Sequence, residues 1–120
     1  MTSEAVLINL GNVLKRDGRF AEAVACYRQA LAINPGAADT HYNLGAAWQD
    51  SGDLTQAAAA YQEALRLNPG HVSAYNNLGN VWREQNRYQA AIDCYRRALA
   101  LAPDHAVILN NLGVVLLSEQ

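Results

Sequence analysis

At 120 residues the chain is the size of one cooperative domain with room for a core, and 51% hydrophobic content with three prolines and eight glycines excludes collagen, a low-complexity linker and intrinsic disorder. Its 22 alanines and 15 leucines outweigh the 15 valines, isoleucines and threonines together, which favours helix over strand. Nine basic against eleven acidic side chains leave a net charge of -2, without the cationic excess that draws nucleic acid or an anionic membrane surface, so neither is an expected partner.

The amino end up to Arg16 has no basic segment ahead of its apolar stretch, and Asn9 and Asn12 interrupt that stretch. It does not read as a secretion signal. No apolar run approaches the roughly 20 residues that cross a bilayer, and a cytoplasmic location is the expectation. Cys26 and Cys94 are too few for a disulfide framework and lack the spacing of a zinc site. At two periods apart they also stand too far from each other to bridge.

From Glu4 onward the sequence repeats. Pro35, Pro69 and Pro103 are 34 residues apart, and the same interval separates Leu10, Leu44, Leu78 and Leu112, and Gly11, Gly45, Gly79 and Gly113. Ala23, Ala57 and Ala91 keep the phase, as do Tyr27, Tyr61 and Tyr95. Residues 4–37, 38–71 and 72–105 form three full units, and residues 106–120 begin a fourth. Within a unit the apolar columns recur at i, i+3, i+4 and i+7 on both sides of a break, which predicts two helices. In the second unit the columns are His41, Leu44, Gly45 and Trp48, then Leu54, Ala57, Ala58, Tyr61, Ala64 and Leu65. Gly18, Gly52 and Asn86 occupy the breaks, and these residue types tolerate the left-handed conformation of a helix end. Each proline stops the second helix. A glycine inside the first helix costs about 1 kcal/mol relative to alanine, which points to a close approach to Ala57 and Tyr61 at Gly45 and its equivalents. The expected fold is all-α, three helix pairs and one extra helix, about seven helices in all.

The 34-residue period, the Tyr42–Gly45 run YNLG, Trp48 and Trp82, the alanine and tyrosine columns and the closing prolines resemble the tetratricopeptide repeat (TPR) pattern across residues 4–120. The resemblance implies a right-handed solenoid of antiparallel helix pairs whose first helices line a concave groove for partner proteins. It implies no catalysis and no cofactor. His41 in place of a large aromatic, Asn86 at the turn and the short fourth unit depart from the pattern.

Setting the packing columns aside leaves the residues expected to face the groove. They are Ala5, Ile8, Asn9, Asn12, Lys15 and Arg16 in the first unit, and Asp39, Tyr42, Asn43, Ala46, Gln49 and Asp50 in the second. The third supplies Ser73, Asn76, Asn77, Asn80, Arg83 and Glu84, and the partial fourth Val107, Asn110, Asn111, Val114 and Leu117. Asn9, Asn43, Asn77 and Asn111 form one column, and a row of carboxamides can pair with successive amides of an extended peptide whatever its side chains. That column is similar to the one in the TPR superhelix of O-linked N-acetylglucosamine transferases; the alternative is an inherited asparagine that meets only water. Tyr42 is the expected aromatic anchor, with Asn12, Asn76 and Asn80 assisting and Lys15, Arg16 and Arg83 tuning specificity. The carboxylate clamp of chaperone-binding TPR domains matches at Asn12 and Asn43, yet Ile8, Ser73 and Asn77 stand where the clamp has cations, and a terminal carboxylate would find little to hold it. His71 and His105 read as surface residues of the loops, and no histidine pair is placed for a metal. Tyr27, Tyr61 and Tyr95 and both tryptophans read as core.

Leu109, Leu112 and Leu116 should pack on a second helix that the fourth unit lacks. Either the chain is part of a longer array or that face meets another molecule, a second copy included. The expected function is a non-enzymatic scaffold for a protein or peptide partner. The alternatives are the substrate-recruiting arm of a larger enzyme such as a glycosyltransferase, and a self-assembling scaffold that uses its ends.

Overall fold

The computed structural model describes residues 3–119, so Gln120, the last residue of the partial fourth unit, lies outside it. The described residues form seven helices and no strand: α1 (Glu4–Arg16), α2 (Phe20–Ile33), α3 (Ala38–Ser51), α4 (Leu54–Leu67), α5 (Val72–Glu84), α6 (Tyr88–Leu101) and α7 (Ala106–Ser118). The four odd-numbered helices begin at intervals of 34 residues, the period of the sequence.

Local chemistry sets the helix ends. Ser3 and Asp53 cap α1 and α4 by accepting from the backbone amides of Val6 and Gln56 at 3.2 and 3.1 Å. Gly18, Gly52 and Asn86 take positive φ values of 78°, 91° and 61°, so asparagine reproduces the turn that glycine makes in the other units. Asn34, Asn68 and Ala102 each precede a proline and leave the helix at φ near -137°, the extended geometry that the proline ring imposes on its predecessor.

Each helix packs on its neighbours in the chain, and the backbones of α1, α3, α5 and α7 also come close in succession, whereas those of α2, α4 and α6 stand farther apart. The first helices of the units therefore line the tighter, inner side of a stack measuring 52 by 25 by 21 Å. The core is divided into three clusters along that stack. Trp48 touches the first and second clusters and Trp82 the second and third, with the guanidinium groups of Arg28 and Arg87 lying 5.5 and 5.2 Å from their rings.

Within a pair the fit rests on glycine against tyrosine. A Cβ placed on Gly11, Gly45 or Gly79 would stand 2.6 to 2.7 Å from the ring of Tyr27, Tyr61 or Tyr95. Those three rings are fully buried, as are Ala23, Ala57 and Ala91 one turn earlier in the same helices. Gly113 faces no such ring, and nothing lies within 4 Å of the same point.

The leucine column works differently from the expectation for Leu112. Leu44 joins Leu14, Val24 and Tyr27 in the first cluster, Leu78 joins Ala57 and Tyr61 in the second, and Leu112 packs on the third. This column thus faces the preceding unit, and Leu112 is partly covered by α6 instead of pointing at a missing partner. Leu10, which has no preceding unit among the described residues, is 46% exposed. Leu109 and Leu116 are 48% and 38% exposed.

The same substitution should therefore have opposite effects at equivalent positions. Gly45→Ala and Gly79→Ala force the tyrosine ring aside and should lower stability by about 1–3 kcal/mol. Gly113→Ala adds only helix propensity and should raise it by up to about 1 kcal/mol. Urea unfolding followed by circular dichroism checks the signs.

Candidate functional site on the inner face

The inner face is built from the sides of α1, α3, α5 and α7 that remain after the packing columns are used. Its centre is polar because the tyrosine rings that fill the helix pairs end there. Tyr27 donates to Asn12 Oδ1 and Tyr95 to Asn80 Oδ1. The equivalent position in the second unit is Ala46, which has no acceptor, and Tyr61 donates to Gln49 Oε1 at 2.7 Å instead. Tyr61 also accepts from Asn77 Nδ2 at 3.3 Å.

Burial pushes the hydroxyls of Tyr27 and Tyr95 up to about 12. Tyr61 rises further from the same cause, with the nearby charges of Asp50 and Glu84 adding to the shift and the Asn77 hydrogen bond opposing it.

The expected groove residues thus divide into two kinds. Asn12 and Asn80 are engaged as acceptors for core tyrosines. In the asparagine column, Asn77 donates to both Tyr42 and Tyr61, at 3.1 and 3.3 Å, and Asn111 donates to Asn76 Oδ1 at 2.8 Å. The side chains of Asn9 and Asn43 make no hydrogen bond among the described residues; Asn9 is exposed and Asn43 half-buried. Lys15 and Arg83 are half-buried, Arg16 is exposed, and none of the three has an ion-pair partner among the described residues.

Tyr42 is half-buried and packs against the second core cluster. Its ring stacks on His71 at 4.8 Å between centroids and meets Tyr61 at a tilt, 5.7 Å away. His71 is therefore not a bland loop residue. It caps α5 by accepting the Ala74 amide at Nδ1, 3.1 Å, and its Nε2 lies 2.9 Å from Asp39 Oδ1. A ring nitrogen that accepts carries no proton, so in the neutral ring Nε2–H is the donor to the carboxylate. The histidine side chain is only 12% exposed, whereas that of Asp39 is 89% exposed. The missed signal was positional: His71 immediately precedes α5, where an acceptor side chain is favoured.

Among the described residues no three His, Cys, Asp or Glu side chains cluster to hold a metal ion, and no helix is long and apolar enough to cross a membrane. Cys26 and Cys94 are free thiols, and burial pushes Cys94 up to about 11.

A helical-repeat stack with its first helices on a polar inner face defines the class, a solenoid of paired helices. A tetratricopeptide repeat model matches residues 49–106 and 83–120, and a TPR repeat model matches residues 11–52. The chain belongs to the tetratricopeptide repeat family. Solved structures agree. The first TPR of Spaghetti (RPAP3), bound to the HSP90 peptide SRMEEVD, is 23% identical with a TM-score of 0.92, over 97% of this chain and 92% of that one. The Arabidopsis OM64 TPR domain is 24% identical with a TM-score of 0.90, over 94% and 93%. The Sgt2 TPR domain from Aspergillus fumigatus is 22% identical with a TM-score of 0.90, over 96% and 78%. At these identities the likeness is one of fold. No curated protein matches.

The tyrosine hydroxyls make a further test possible. Below pH 10 they are protonated in both the folded and unfolded chain. Above it the unfolded chain ionises near its ordinary value while the folded chain resists until about 12, so stability should be lost as the pH rises through that window. Urea midpoints at pH 9 and pH 11 should differ, and Tyr27→Phe with Tyr95→Phe should narrow the difference.

Proposed function

We propose that the chain is a protein-interaction scaffold whose inner face holds an extended peptide through carboxamide side chains. One observation carries this reading: Asn9 and Asn43 keep their donors and acceptors unused on a face where the neighbouring asparagines are held in place by hydrogen bonds. An asparagine inside a helix is a mediocre helix former, and a peptide backbone would compensate for it by pairing with both ends of the carboxamide. The Spaghetti TPR, of the same fold, is bound to a peptide. That peptide is acidic, and the uncharged Ile8, Ser73 and Asn77 of this chain argue against the same ligand.

Asn43→Ala is the clean probe, since it removes no internal hydrogen bond among the described residues. Asn77→Ala would also release the hydroxyls of Tyr42 and Tyr61. Asn9→Ala with Asn43→Ala should abolish partner capture while leaving helicity unchanged, measured by pull-down and circular dichroism; undiminished capture would remove the carboxamide row from the reading.

A second role rests on a different surface. Val6, Leu10 and Val13 on α1 are 45–55% exposed, and α7 presents Leu109 and Leu116 at 48% and 38%. No charged residue lies in α7. Apolar faces at both ends favour association of copies of the chain. Sedimentation velocity at rising concentration should show this association, and Leu109→Lys with Leu116→Lys should suppress it.

A further inference from the structure

The inner face is ordered in charge along its length, which the carboxamide row does not require. Its first unit carries only cations, Lys15 and Arg16. The second carries only carboxylates, Asp39 and Asp50, and the third one charge of each sign, Arg83 and Glu84. On α7 the corresponding positions are Val107, Leu117 and Ser118, the first two exposed by 57% and 73%, and Val114, at 42%, adds a third apolar side chain to that face.

These residues share the face defined by the hydrogen bonds described above. Lys15, Gln49, Arg83 and Leu117 occupy one column of the repeat, and Gln49 of that column reaches the Tyr61 hydroxyl. Val114 occupies the column of Asn12 and Asn80, which receive the hydroxyls of Tyr27 and Tyr95. Asp39 is tied to the face through His71, which stacks on Tyr42. Of the six charged groups only Asp39 has an ion-pair partner among the described residues, and that partner is the imidazole, so a ligand's charges would meet groups not already neutralised.

We infer that the groove selects an extended peptide whose acidic residue lies over α1, whose basic residue lies over α3 and whose apolar residue lies over α7. The inference rests on the inner face being the binding surface and specifies the order of side chains that it accepts. Neighbouring first helices pack at roughly 10 Å, and an extended chain rises about 3.3 Å per residue. One repeat therefore spans about three residues of ligand, which puts the basic residue about three positions from the acidic one and the apolar residue about six positions beyond that. The carboxamides would hold the backbone while the flanking charges fix the register, since an opposite-sign pair is favourable at each place and a slip by one repeat sets carboxylate against carboxylate.

The test uses synthetic ten-residue peptides with Glu at one end, Lys three residues on and Leu at the other end, in a background of serine and asparagine. Each is made in both chain directions, alongside versions with Glu and Lys exchanged, and titrated calorimetrically. The ordered peptide in one of its two directions should bind about tenfold more tightly than its exchanged version, as two matched pairs in place of two mismatched ones predict. In the double variant Lys15→Glu with Asp50→Lys, which leaves Arg16 and Asp39 in place and so cancels the charge of each unit, the preference should vanish, with unchanged helicity as the folding control. Equal affinity for ordered and exchanged peptides would overturn the charge register and leave the carboxamide groove standing. Absence of binding by every peptide would overturn the groove reading itself.

Discussion

The contact of a glycine with a tyrosine ring governs this molecule. In each complete pair the first helix omits a side chain so that the second can place an aromatic ring against its backbone, and the ring is then sealed on all sides. The helix gives up about 1 kcal/mol of propensity at that glycine and gains the burial of a large aromatic side chain in return. The ring is long enough to cross the pair, so its hydroxyl ends beneath the inner face, against the carboxamides of Asn12, Gln49 and Asn80. Core and groove are joined through one residue type: packing decides where the hydroxyl ends, and the hydroxyl decides which inner-face carboxamides are committed.

The middle of the molecule shows the consequence of a single departure from the repeat. Where the first and third units place Asn12 and Asn80, the second has Ala46, and Tyr61 turns to Gln49 and Asn77. Asn77 belongs to the next unit and also reaches Tyr42. The bond within the second pair is thus joined by a polar tie to the next pair, and Asn111 with Asn76 makes another such tie between the third and fourth units.

Much of the fold was legible in the sequence because a solenoid writes its geometry as a period. The helix starts, the positive-φ turns at Gly18, Gly52 and Asn86, and the crowding at Gly45 all follow from column identity and residue chemistry alone. The inner-face column was legible for the same reason, since each position recurs at the same angle on its helix. Less legible was the use of each member. Whether Asn12 is free depends on the reach of Tyr27 from another helix, and no spacing in the sequence encodes that distance. His71 was hidden because its partners, Asp39 and Tyr42, stand at the opposite end of its own 34-residue unit. Leu112 was assigned to the wrong neighbour because its column packs backward along the chain, which the periodicity leaves undetermined.

The two tryptophans occupy the joints of the stack, each shared between adjacent core clusters. Neither sits in α1 or α7. In a stack held by nearest-neighbour contacts the terminal helices are the first to detach. Indole emission would report chiefly the parting of the internal seams, whereas backbone ellipticity would register the loss of every helix. The two signals would separate the loosening of the ends from the opening of the middle without any label being added.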